Sequence, residues 1–112
     1  MDTFAAEELF AGLDPGHHDF AEFFRSSTLS LTVAQWPAGS VDDQRPHTED
    51  EVYYVVAGRA RLSVAGEEEA VGPGSVAFVE AGVEHRFREI EEDLEVVVFW
   101  APPRHSGAPR EG

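Results

Sequence analysis

The chain has 112 residues, a formal charge of −14, no cysteine and no lysine. Without thiols there is no disulfide, thiolate nucleophile or thiolate metal site, and without lysine there is no Schiff base or P-loop lysine. The acidic balance repels nucleic acid and anionic membrane alike.

The length suits one domain with one core, and 42% hydrophobic content with eight Phe sets the chain apart from a disordered tail. No apolar run approaches transmembrane length, and the amino terminus lacks a basic stretch followed by an apolar one. The expected location is therefore the cytoplasm.

In chain order, Asp2 to Leu13 reads as a short helix, capped by Asp2 or Thr3, with Phe4, Leu9, Phe10 and Leu13 on its apolar side. Asp14-Pro15-Gly16 is a turn, and His17 to Phe24 is expected to add a second helical turn. Residues 1–28 then form a helical extension packed on the strand-rich remainder of the chain. From Leu29 the period changes to two, and strands are predicted at Leu29–Trp36, Glu51–Val56, Arg59–Val64, Val76–Val79, His85–Ile90 and Leu94–Trp100. Glu67-Glu68-Glu69 and Glu91-Glu92-Asp93 read as solvated hairpin tips. Short strands separated by Gly-rich turns point to a sandwich or barrel over residues 29–101, followed by a frayed tail over 102–112. The last strand is apolar on both faces, so its outer side needs cover from the N-terminal helix or a second subunit.

The chemistry concentrates in two segments. Period two puts Arg45, His47, Glu49 and Glu51 on one face of an extended chain, with Tyr53 following. If that face is interior, buried carboxylates need a neutralising partner, either a divalent cation or Arg45. In the second segment His85 shares a face with Phe87, so it points inward if the Phe does.

These residues resemble the cupin superfamily from about Leu29 to Trp100. Gly39, His47, Glu51 and Gly58 fall on the opening glycine, second histidine, glutamate and closing glycine of its first motif. Gly74, Gly82 and His85 fall on the opening glycine, inner glycine and histidine of its second. Three positions depart: Arg45 stands for the first histidine, Glu80 for the proline and Glu89 for the asparagine. The resemblance implies an all-β, single-domain jelly-roll barrel with a short helical N-terminus, a metal ion inside it, and a homodimer.

Loss of the first histidine leaves His47, Glu51 and His85 as the metal set. Two imidazoles and a carboxylate suit Fe, Mn, Ni or Zn and leave positions open for water or substrate. Glu49 or Gln44 is a candidate fourth oxygen donor, with Gln44 second because it is out of phase unless Pro46 kinks the strand. Glu49 is otherwise expected to be solvated, and Arg45 to close the mouth or pair with Glu49. Trp36, Tyr53, Phe78 and Phe87 are expected in the core, with Tyr53 and Phe87 also candidates for the pocket wall. His17, His18 and His105 are read as surface residues.

Three functions are open on this reading. The first is a metal-dependent oxygenase or isomerase acting on a small polar organic molecule, with Glu49 as base in the proton-transfer case. The second is a non-catalytic metal or ligand-binding module. The third is a metal-free barrel in which Arg45 pairs with Glu51 and binds an organic anion.

Overall fold

A computed structural model describes residues 1–106. Helix α1 spans Ala6–Ala11, and six strands come after it: β1 Asp19–Arg25, β2 Ser30–Trp36, β3 Asp50–Val64, β4 Glu67–Val71, β5 Val76–Val79 and β6 His85–Ala101. The hydrogen-bonded order is β1-β2-β6-β3-β4, with β5 added to β3, and every pairing is antiparallel. The chain rolls into a jelly-roll barrel. Tyr53, Val55, Phe87, Leu94, Val96, Val98 and Trp100 fill its inside, each at most 5% exposed.

Two long strands organise everything else. The segments expected as separate strands join into single strands β3 and β6, which pair with each other along most of their length. The pairing slips between Val55 and Arg61. Such irregularity bends a strand and lets one ribbon serve two walls of a barrel. At the slip, Gly58 has φ +91° and its α-carbon faces the backbone of Asp93 and Leu94, where a side chain would collide with the Asp93 carbonyl. Glu91-Glu92-Asp93 is therefore part of β6. Glu67-Glu68-Glu69 likewise lies in β4, paired with Val64, Ser63 and Leu62. An acidic run on an exposed edge strand keeps its charges in water without needing a turn.

The N-terminal region also differs from expectation. The helix has six residues and starts after Ala5, with no side-chain cap from Asp2 or Thr3. The segment expected as a second helical turn is strand β1, paired with β2 from Asp19↔Gln35 to Arg25↔Ser30. The open edge of β2 offers a full ladder of hydrogen bonds, which outweighs weak local helical preference in so short a stretch. Phe10 and Leu13 pack on Val33 with Val56 and Val97 alongside, so α1 supplies part of the outer cover that β6 requires. Tyr54, Val76, Phe78 and Phe99 remain exposed on the outer face of β3, β5 and β6. Phe78 is thus a surface residue, because it lies on the opposite face of β5 from buried Val79.

Residues 102–106 are tied down: Pro103 is buried and the Arg104 amide donates to Ser30 Oγ at 2.9 Å. The rest of the expected tail, 107–112, lies outside the described residues. Among the described residues, no helix is long and apolar enough to cross a membrane.

Gly58→Ala should cost about 3 kcal/mol in chemical denaturation, since left-handed strain and a backbone collision combine. Gly66→Ala, at φ +85° with open space around it, should cost only about 1 kcal/mol. Equal costs at the two positions would refute the close-approach reading.

Candidate metal centre

Glu51 is the second residue of β3, on the inward side shared with Tyr53 and Val55. Its neighbours across the ladder are Trp100 of β6 and Val79 of β5. His85 opens β6, opposite Val64. The turn before it is clamped to the other motif: Gly82, at φ +79°, donates its N–H to the His47 carbonyl at 2.6 Å, and the Ala81 N–H donates to Asp50 Oδ1 at 2.8 Å. Gly82 thus sets His47 and His85 in fixed relation. His47 rests edge-on against Trp100, ring centroids 4.8 Å apart.

The three side chains expected as ligands converge. One donor atom from each of His47, Glu51 and His85 lies within 4.8 Å of the others. Glu51 Oε1 is 3.1 Å from His85 Nε2 and 3.9 Å from His47 Nε2. Neighbouring ligands on one ion, each bonded at about 2.1 Å, stand roughly 3.0–3.4 Å apart in tetrahedral or octahedral geometry. The first distance fits and the second is slightly loose.

Two further observations test the fit. The Glu51 side chain is 1% exposed, and neither carboxylate oxygen accepts a well-formed hydrogen bond among the described residues; the nearest polar neighbour is His85 Nε2, 3.1 Å from Oε1. A buried carboxylate without donors is costly, and a cation relieves that cost. The second concerns protons. His85 Nδ1 lies 2.9 Å from the Val83 carbonyl, which can only accept, so Nδ1 carries hydrogen. Its Nε2 lies 3.2 Å from Gln44 Oε1, itself an acceptor. Acceptors therefore face one another unless a proton or a metal ion stands between them. The residues present fit a divalent ion.

Gln44 is in the site, and the phase argument that ranked it second does not apply. Residues 41–49 form no ladder, so period two is not imposed on them. Asp42, 4% exposed, directs the amide: its Oδ2 accepts from Gln44 Nε2 and from the Phe87 N–H at 2.8 Å, while Oδ1 accepts the Gln44 N–H at 3.2 Å. With its nitrogen held by Asp42, Gln44 presents its oxygen to His85 and to the Tyr53 hydroxyl, 3.3 Å away.

The other candidates are placed differently. Glu49 is buried at 2%, not solvated, and accepts from the Thr48 hydroxyl without lining the central cavity. Arg45 is exposed and pairs with neither Glu49 nor Glu51 among the described residues, because the irregular segment turns it outward. Phe87 backs the site from the core, its ring 5.0 Å from both Trp36 and Tyr53. Asp42, His18 and Arg104 were not expected. Asp42 was legible as an Asx turn two residues before Gln44. His18 stacks on Trp36 and, like Arg104, lines the cavity.

Burial pushes the His47 pKa below the ordinary imidazole value. Glu51 opposes this, while His85 and Arg104 add to it. Burial also works against a charge on His85, but Glu51, the Val83 carbonyl and Asp42 outweigh it and hold that pKa above the ordinary value. Burial, then the negative charge of Glu51 and Asp42, keeps the Tyr53 hydroxyl protonated well past its usual range.

The chain is an antiparallel jelly roll in which two imidazoles and a carboxylate that could hold a metal ion meet at one internal point. The chain belongs to the cupin domain family, which matches residues 32–102. Uncharacterized protein SCO3923 of Streptomyces coelicolor is 42% identical over 103 residues, spanning 92% of this chain and 98% of that protein. Dimethylsulfoniopropionate lyase DddQ of Ruegeria pomeroyi is 30% identical over 78 residues, which are 69% of this chain but only 39% of the lyase. Among solved structures, TT1209 from Thermus thermophilus superposes with a TM-score of 0.79 at 27% identity, covering 92% of this chain and 99% of that one.

The raised His85 pKa gives a signed expectation. In metal-free protein the imidazolium–Glu51 contact stabilises the fold at low pH, and that contribution is lost as pH rises through the raised pKa. A ligating His85 must give up the same proton, so Zn(II) affinity should rise with pH between about 6 and 8. Calorimetry in buffers of different ionisation enthalpy should detect proton release on ion binding, growing as pH is lowered into the range where His85 is protonated. Binding without proton release would contradict the assignment.

Proposed function

We propose that this cupin is a metal-dependent enzyme acting on a small polar organic molecule, with His47, Glu51 and His85 holding one divalent ion and Gln44 supplying a fourth donor. The observation that carries the reading is the buried Glu51 carboxylate, which faces only the two imidazoles and has no well-formed hydrogen bond among the described residues. Imidazole, carboxylate and amide oxygen suit Fe, Mn, Ni or Zn. A bound ion would supply Lewis-acid polarisation of a substrate oxygen or, if iron, a place for dioxygen chemistry.

The protein's own side chains favour the first. The Tyr53 phenol keeps its proton, lines the cavity and makes its hydrogen bond at the site, so it is placed to donate a hydrogen bond to a substrate oxygen. Glu49, the expected base, does not reach the cavity. The lyase name of DddQ supports the same branch, non-oxidative chemistry of the isomerase or lyase kind. Trp36, Val98 and Trp100 make the walls apolar and limit water around the reacting group.

Elemental analysis of protein purified without a metal-affinity tag should find close to one transition-metal ion per chain. Glu51→Gln or His85→Ala should weaken binding roughly 100-fold, and Gln44→Ala roughly 10-fold. Tyr53→Phe should keep the metal and lower turnover on any substrate found. Metal-free wild-type protein that also fails to bind added Zn(II), Mn(II), Ni(II) or Fe(II) would overturn the proposal.

We further propose that two copies pair through the outer sheet face carrying Tyr54, Val76, Phe78 and Phe99. Copies with a charge of −14 repel one another, so an uncharged apolar face is where they can approach. Light scattering should give a dimer mass for wild type and a monomer mass for Phe78→Glu. A monomeric wild type at all concentrations would contradict it.

A further inference from the structure

Among the described residues, four buried side-chain polar atoms have no hydrogen-bond partner: both oxygens of Glu51, Trp36 Nε1 and Arg104 Nε. All three residues line the same open cavity, of about 130 Å³, beside the metal centre. The Glu51 oxygens are acceptors and call for a cation. The indole and guanidinium N–H groups are donors and call for an acceptor that the protein does not provide.

Arg104 is held as a recognition group. Its backbone is anchored on both sides, the N–H to Ser30 Oγ and the carbonyl to Arg25 Nη2 at 3.1 Å. Its guanidinium lies between two rings, 4.9 Å from the Phe20 centroid and 5.3 Å from that of Trp100. These two cation–π contacts hold the charged group beside the cavity, and a guanidinium carries paired N–H donors that match a planar carboxylate. In a chain with a charge of −14, Arg104 forms no ion pair with any carboxylate of the described residues. The same Trp100 ring carries His47 4.8 Å from its centroid, so the cation and the metal centre flank one indole.

We propose that the cavity takes a small organic carboxylate whose carboxyl group docks on Arg104, making Arg104 a specificity-determining residue. This names the substrate class for the metal-centred reading above and rests on it. The aromatic and aliphatic walls provided by Phe20, Ala34, Trp36, Tyr53 and Val98 would receive the carbon skeleton. Of the acidic groups on the wall, Asp42 is spent on the Phe87 N–H and on Gln44, Asp43 is exposed, and Glu51 is neutralised when an ion is bound. A single guanidinium among apolar walls suits one negative charge better than a doubly charged phosphate. The exposed Arg45 takes no part.

The test compares benzoate with its neutral isostere benzamide, using calorimetry on full-length protein loaded with Zn(II). Wild type should bind benzoate at least tenfold more tightly than benzamide, and inorganic phosphate should compete weakly or not at all. Arg104→Gln keeps the backbone anchors and should reduce the benzoate preference to near unity, with benzamide affinity unchanged. Arg104→Lys should retain part of the preference, and Arg45→Gln should behave as wild type. Zinc content is measured on every sample, so failure of the metal centre is read separately from failure of anion recognition. Zinc-loaded protein that binds the two probes alike, binds neither, or keeps its preference in Arg104→Gln overturns the proposal.

Discussion

A carboxylate with 1% of its side chain exposed, whose nearest polar neighbour is the His85 imidazole, is the constraint around which this barrel is arranged. Desolvating such a group costs several kcal/mol unless an opposite charge is at hand. The adjacent His85 meets that need with a proton, and its geometry shows how a metal ion would do so instead. Its Nδ1 is tied to Val83, leaving Nε2 to face Glu51 and Gln44. Most of the surrounding polar contacts serve this point. Asp42 turns the Gln44 amide, Gly82 grips the His47 carbonyl, and Trp100, its own N–H satisfied by Thr32, backs the His47 ring.

The fold's contribution is to bring two distant stretches of chain together without freedom to drift. β3 carries Glu51 and β6 carries His85, and their long mutual ladder makes the two move as one ribbon. The slip near Gly58 bends that ribbon where a regular pairing would have kept it flat. The glycines on the family motifs therefore have different jobs: Gly58 permits backbone contact, while Gly82 supplies an N–H in a conformation that side chains disfavour.

Much of this was legible in the residues. Alternation from Leu29 onward and Gly-rich punctuation gave the all-β class, and motif spacing placed His47, Glu51 and His85 together. Period-two reasoning failed where no ladder enforces it, at residues 41–49, and so it turned Arg45 inward and ranked Gln44 too low. The helical expectation failed at His17–Phe24, where pairing with β2 decides the conformation and local preference does not. Arg104 was hidden for another reason. It lies outside the alternating region, in a Pro-rich stretch that reads as loose, and only the tertiary contact with Ser30 shows it anchored over the cavity.

Crystals grown with the native or a reconstituted metal, measured across that metal's absorption edge, address the central claim most directly. The account predicts one strong anomalous peak inside the barrel, about 2.0–2.3 Å from His47 Nε2, a Glu51 oxygen and His85 Nε2. An interior without a peak under those conditions, or a peak bonded to other residues while Glu51 finds a protein donor, would contradict it.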